Sequence, residues 1–324
     1  MRTFLSQGAH SNVYVDDEHP EIVIKENKDR KSSQTYLSRQ LRGYDITKEI
    51  RTKNTNTGVI LPSLIEMRDT GTAQIIKEKL IPGKPFTYEM YNALSDTQRN
   101  KIAKQMAKFL DIMHSSFKCD KPNESIKNTF DGKMNNADDI IARFGNKLPS
   151  DIAFKLKQAE QYISSADISD EFIVMTHSDL RTSNIIYDEK TEKIGVVDFE
   201  LANRHNVYRD FIAIAPASSM PWDFTKRVID YYNQIPDKKY PITINPEKVQ
   251  NMLVYGMMHE FARCLNKNTS TDKKYFAMLR KKLELITGID FNSEQSYKNA
   301  IDRVQEQATQ KTAIKIREKQ NHEI

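Results

Sequence analysis

Thr176-His177-Ser178-Asp179-Leu180-Arg181-Thr182-Ser183-Asn184-Ile185-Ile186-Tyr187 sets a polar loop directly before an apolar strand, and Ile194-Gly195-Val196-Val197-Asp198-Phe199-Glu200 sets two acids directly after another. Asp188 to Lys193 reads as the turn that pairs the two strands. A hairpin of this kind brings Asn184 and Asp198 to one end, close to Asp179. A carboxylate can orient or receive the proton of an attacking hydroxyl. An amide–carboxylate oxygen pair suits a hard cation such as magnesium, which prefers oxygen ligands. Such a cluster is what phosphoryl transfer requires.

Outward from this segment, the first 80 or so residues read as strands around one helix. Thr3–Leu5 and Asn12–Val15 flank Gly8. Glu21–Lys25 is a third strand, residues 34–53 a helix, and Gly58–Met67 and Thr72–Leu80 two more strands with Asp69 and Gly71 between them. Ile81-Pro82-Gly83-Lys84-Pro85 breaks the pattern, so the expected boundary between a small lobe (1–82) and a larger one (83–304) lies there. Beyond it helices dominate. Ser95 or Asp96 can cap a helix with Ile102, Ala103, Met106, Ala107, Leu110 and Met113 on one face. Further helices are expected at 154–163, 224–234, 246–265 and 273–286, and a short strand at Phe172–Met175. From about Gln305 to 324 the chain is polar, either a solvated helix or a disordered tail.

Composition narrows the function classes. The chain has 324 residues, room for two lobes around a shared cleft, and its 38% apolar content is enough for a core. It has no run of about 18 apolar residues, so no membrane span is expected, and Met1–Gly8 lacks the apolar stretch of a secretory signal. A cytoplasmic location is the expectation. Two cysteines, Cys119 and Cys264, supply neither a disulfide framework nor a zinc site. A net charge of +5 with mixed signs reads as solvated surface, and no nucleic-acid partner is expected.

The pattern His177-x-Asp179-x-x-x-x-Asn184 followed by Asp198-Phe199-Glu200 resembles the catalytic and metal-binding loops of the protein-kinase-like superfamily, most closely its aminoglycoside phosphotransferase and choline kinase branch. The resemblance implies an α+β bilobal fold, with an antiparallel-sheet N-terminal lobe and a mostly helical C-terminal lobe. It implies an ATP- and Mg2+-dependent transfer of the γ-phosphate to a hydroxyl. Asp179 would be the catalytic base, Asn184 and Asp198 the magnesium ligands, and His177 the residue that orients the loop. Gly8-Ala9-His10-Ser11-Asn12 resembles the turn that covers the phosphates, and Lys25 is the phosphate-lysine candidate. Glu49, on the helix, is its expected carboxylate partner, with Asp45 the alternative. Gln74–Pro82 resembles the strand and hinge that carry the adenine, with the backbone of Glu78 to Leu80 expected to pair with the base.

Arg181 departs from the small-molecule kinases, which more often carry a neutral residue there; it either braces the γ-phosphate as a planar bidentate donor or is a surface charge. No long segment closed by Ala-Pro-Glu comes after Asp198, and Arg209-Asp210-Phe211 is soon reached. That favours a small hydroxylated acceptor over a protein. Glu200, Asp210, Trp222 and Glu260 are candidate acceptor contacts, together with Asp223; the indole of Trp222 suits a cation or, after Pro221, anchors a helix start, and Glu260 either lines the acceptor site or is plain surface. A minimal protein kinase and a silent nucleotide-binding scaffold are the alternatives. The acceptor's identity and the oligomeric state stay open.

Overall fold

The computed structural model describes residues 2–7, 11–27, 33–54, 56, 58–120, 157, 172–214, 220–250 and 252–253. The chain divides into two compact units, one of residues 1–133 and 165–249, the other of 134–164 and 250–324; every numbered strand and helix below lies in the first.

Strands β1 (Arg2–Gln7), β2 (Asn12–Asp16), β3 (Ile22–Asn27), β4 (Leu64–Asp69) and β5 (Gln74–Lys79) form an antiparallel sheet in the order β1-β2-β3-β5-β4. The β-branched runs Ile22-Val23-Ile24 and Ile75-Ile76 occupy the middle of it, where a pleated, buried surface favours them. Helix α1 (Ser33–Lys53) lies on the sheet, and its Tyr36 and Tyr44 pack with Ile76, Leu64 and Met67. The strand expected at Gly58–Met67 begins only at Leu64. Gly58 takes a left-handed φ of 77°, and Pro62 has no N–H to donate. Ile60 instead makes a parallel bridge to Gly195, its N–H donating to Ile194 O at 2.9 Å.

After the sheet the chain turns helical. β6 (Lys84–Pro85) leads into α2 (Tyr88–Ala93) and α3 (Asp96–Ser116). Ser95 caps α3 in a reciprocal box with Gln98, satisfying two N–H groups that the first turn leaves without partners. The expected apolar face of α3 is buried, joined by Phe109 and Ile112. β7 (Ile173–Thr176) precedes a 3-10 turn at Thr182–Asn184, and β8 (Ile185–Asp188) pairs with β9 (Lys193–Val196) as the expected hairpin. A second 3-10 turn, Phe199–Leu201, leads to β10 (Asn203–Asn206), α4 (Tyr208–Ile214) and α5 (Trp222–Asn233). β10 pairs with β7, a pairing that its polar Asn-Arg-His-Asn run did not announce. Residues 246–250, 252 and 253 are helical, as is Lys157; the rest of the helices expected at 154–163 and 246–265, the whole of 273–286 and the tail lie outside the described residues.

Two close backbone approaches bring this framework together. β6 pairs with β8, and a Cβ on Gly83, whose φ is +116°, would sit 2.3 Å from Tyr187 O. Gly43, in the interior of α1, faces the 3-10 turn after Asp198, where a Cβ would meet Phe199 O at 2.9 Å. Glycine costs a helix interior about 1 kcal/mol relative to alanine, so its place here reflects this approach. Gly43→Ala is therefore expected to lower stability by about 1–3 kcal/mol, the usual cost of overpacking, against the gain that helix propensity alone would give. Urea unfolding of the two proteins measures the sign.

Candidate active site

The loop between β7 and β8 is held from beneath by one carboxylate. Asp210, on α4 and fully buried, accepts the His177 N–H at 3.0 Å and the Ser178 N–H at 2.9 Å, with His114 Nε2 of α3 at 3.4 Å. Burial alone would raise the Asp210 carboxyl; its hydrogen bond to His114, the nearby imidazoles and the Ser178 N–H outweigh it and hold the group below the ordinary carboxylate range. Ser178 takes a left-handed φ of 68°, which turns the chain toward Asp179. Expected among the acceptor contacts, Asp210 is instead sealed under the loop.

His177 is also buried. Its Nε2 donates to Val197 O at 2.9 Å, its Nδ1 faces the Asp179 N–H at 3.4 Å, and its ring packs 4.6 Å from that of Phe199. Val197 N–H in turn donates to Asn184 O at 2.9 Å. These contacts carry Asp198 into a left-handed conformation (φ 68°, ψ 61°), which aspartate tolerates better than most side chains. The Asn184 amide nitrogen donates to Asp179 O at 2.8 Å and Oδ2 at 3.2 Å, which turns its oxygen the other way. Arg181, exposed at the surface, places Nε 2.6 Å from Asp179 Oδ1.

Lys25 Nζ pairs with Glu78 Oε1 at 3.0 Å, and the Tyr44 hydroxyl donates to Glu78 Oε2. Burial would depress the Lys25 ammonium; the charges of Glu78 and Asp198 outweigh it and raise its pKa. Lys25, Gln40, Tyr44, Glu78, Asp198 and Glu200 line one small pocket. Glu49, the expected partner of Lys25, points elsewhere: it pairs with Lys53 at 2.5 Å, one turn along the same helix, where the i,i+4 spacing places a lysine within reach. The alternative, Asp45, is exposed.

The hinge expectation also needs correction. The backbone of Glu78 is flanked by β3 and β4, the Lys79 N–H donates to Ser63 O, and the Leu80 N–H donates to Glu21 O at 2.7 Å. The next backbone donor beyond them is the Ile81 N–H, and Pro82 after it has none. Glu200 accepts from Gln40 Nε2 at 2.8 Å, so it faces α1. Trp222, half-buried, opens α5, and Asp223 beside it is taken by the Tyr91 hydroxyl and by Arg227 at 2.9 Å. Ser11 hydrogen-bonds the Tyr36 hydroxyl, and Asn12 opens β2 opposite Glu26. Gly8 and Glu260 lie outside the described residues.

Tyr36, Gln40 and Tyr44 belong to the site although no charged motif marks them in the sequence. Their i, i+4, i+8 spacing defines one helical stripe, and polar groups at that period, rather than a carboxylate alone, are the signal that would have found them.

Oxygen donors are available for a cation. No described residue pairs with the Asp198 carboxylate, and the Asn184 oxygen is turned away from Asp179. Among the described residues no group of three or more His, Cys, Asp or Glu is arranged to hold a metal ion. Magnesium is commonly bound through one or two protein oxygens plus phosphates and water, and Asn184 with Asp198 fits that pattern.

The fold is one shared with solved aminoglycoside phosphotransferases. Residues 76–214, from β5 through α4, match the choline/ethanolamine kinase family model. Among solved structures, the ADP-bound aminoglycoside phosphotransferase APH(2'')-Ib is similar with a TM-score of 0.57 and 20% identity, over 88% of this chain and 94% of that one. The GDP complex of aminoglycoside 2'-phosphotransferase-IIIa gives 0.62 and 13%, over 87% and 92%. An amicoumacin kinase in complex with AMP-PNP and Ca2+ gives 0.52 and 13%, over 89% and 88%. No curated protein matches the sequence. The chain thus has the fold of these phosphotransferases, and its residues 76–214 are similar to the choline/ethanolamine kinase family.

Asp210→Asn places an amide N–H2 where two backbone N–H groups need acceptors. It is expected to destabilise the chain by about 3–5 kcal/mol, as for a broken buried charge pair. Because the folded carboxyl is held below its unfolded value, this contribution is present above about pH 3.9 and is lost as pH falls through the folded pKa. The gap between wild type and variant should narrow in acid, as denaturant titrations at several pH values would measure.

Proposed function

We propose that this protein transfers the γ-phosphate of ATP to a hydroxyl of a small molecule, with Asp179 as base and Asn184 and Asp198 as magnesium ligands. The observation that carries the reading is the convergence of Lys25 and Asp198 on one pocket, with Asp179 tied through Asn184 to the same hairpin. Magnesium, when bound, neutralises charge on the transferring phosphoryl group. Lys25 is held by its pairing to aim one ammonium at the phosphates. Asp179 orients the acceptor hydroxyl and takes its proton as the oxygen bonds to phosphorus and ADP departs. Arg181, already paired with Asp179, can turn its remaining N–H groups to the γ-phosphate as a planar donor.

A small acceptor is supported by the course of the chain after Asp198. It passes at once through a 3-10 turn, a four-residue strand and α4, leaving little chain for a peptide-docking segment. The similar proteins whose names state a substrate class act on aminoglycosides, macrolides and amicoumacin. Within unit 1, the chain up to Pro82 would be the nucleotide-holding lobe. No described helix is long and apolar enough to cross a membrane.

Asp179→Asn is expected to lower phosphoryl transfer by about a hundredfold to ten-thousandfold, the usual contribution of positioned acid–base catalysis, while Mg-ATP still raises the thermal midpoint. The assay is ADP release across a panel of amino alcohols, aminoglycosides, macrolides and proteins. Wild-type turnover in the variant would make Asp179 structural, and turnover with proteins alone would make the enzyme a protein kinase. Asp198→Ala should abolish the magnesium-dependent part of the thermal shift; a shift equal to wild type would remove Asp198 from the metal site.

A further inference from the structure

Helix α1 carries two acids, Asp45 and Glu49, and neither reaches Lys25: one is exposed, the other pairs with Lys53. The lysine, with only 14% of its side chain exposed, is nevertheless paired, and its partner comes from the neighbouring strand. Lys25 and Glu78 sit near each other across the β3–β5 ladder, where Lys25 is opposite Ile76 and Val23 is opposite Glu78. This is the diagonal separation that long side chains bridge on one face of a sheet. The pair is therefore set by strand register, independently of where α1 lies. The helix meets the same site through a neutral stripe: Tyr36 bonds Ser11, Gln40 bonds the Glu200 carboxylate, and the Tyr44 hydroxyl bonds the second oxygen of Glu78.

We propose that Glu78 is the positioning carboxylate of Lys25, and that Tyr44 fixes the orientation of Glu78 so that α1 supports Lys25 without contributing a carboxylate. The inference rests on the phosphotransferase function proposed for this chain. Its physical content is that both carboxylate oxygens of Glu78 have donors, one ammonium and one hydroxyl. The carboxylate is thereby held in a single rotamer, and the ammonium is held at the pocket wall it shares with Asp198. Removing the charge of Glu78 leaves a buried ammonium free to reorient toward Asp198, away from the phosphates.

The test is titration calorimetry of Mg-ATP into the full chain, comparing wild type with Glu78→Gln, Tyr44→Phe and Glu49→Gln. Measured where circular dichroism shows each variant folded, the dissociation constant does not move merely because a variant is less stable. Glu78→Gln should weaken binding by about tenfold or more, the scale of a charge-assisted hydrogen bond. Tyr44→Phe should weaken it by about threefold, the scale of a neutral one, and Glu49→Gln should leave it within about twofold. If Glu78→Gln does not fold, the contrast between Tyr44→Phe and Glu49→Gln carries the test. Wild-type affinity in Glu78→Gln or in Tyr44→Phe, or an equal loss in Glu49→Gln, overturns the inference while the phosphotransferase function stands. A wild-type chain that binds no Mg-ATP overturns both.

Discussion

A buried carboxylate must be given donors, and Asp210 obtains them from the loop that holds Asp179. Its two oxygens take the N–H groups of His177 and Ser178, and His114 approaches from α3. His114 is in turn bonded to the Tyr232 hydroxyl on α5 at 3.1 Å. One charge in α4 thus links two helices and the loop at Asp179. His177, held by its backbone, spends its ring on Val197 O and Phe199, which fixes the chain around Asp198. The candidate base and the candidate metal ligands share one support, buried away from solvent, where hydrogen bonds are least replaceable.

The second connection runs through α1. Gly43 lets the helix lie against the backbone of Phe199, and Gln40 reaches Glu200 beside it. Arg42 adds a contact to Glu200 O at 3.3 Å. On the other side, Tyr44 and Tyr36 pack on Ile76 with their hydroxyls turned to Glu78 and Ser11. The helix therefore touches the Lys25–Glu78 pair, Ser11 and the turn at Phe199–Glu200 together, and its position is felt at each. With its acidic residues directed elsewhere, these links are hydrogen bonds and packing. Their strength depends on fit more than on ionic strength.

Much of this was legible along the chain. The hairpin from Ile185 to Val196, the capped face of α3 and the strands before Lys79 all arise from local periodicity and from turn and cap chemistry, which adjacent residues specify. The grouping of Asp179, Asn184 and Asp198 was legible for a similar reason: two are separated by five positions of one loop, and the third lies across a hairpin with a short turn. β10 was not legible, because Asn203 to Asn206 form a strand only through pairing with β7. Nor was the strand-breaking course of residues 58–63, which serves a bridge to Gly195 far along the chain.

What the sequence by itself determined is the chemistry present and its local frame: a lysine at the end of an apolar strand, and the His177-to-Glu200 motif at a hairpin's end. Those depend on residues within a few positions of each other. Only the tertiary structure decided which carboxylate meets Lys25, which way Glu200 faces, and whether Asp210 lies in the cleft or beneath it. Glu49 and Glu78 are both plausible partners in one dimension. The choice between them rests on cross-strand register and on which face of α1 the sheet covers, and both are settled by burial of Tyr36, Tyr44 and Ile76 in a common core. A salt bridge forms where packing brings its charges together, and that packing is not written in the spacing of the charges themselves.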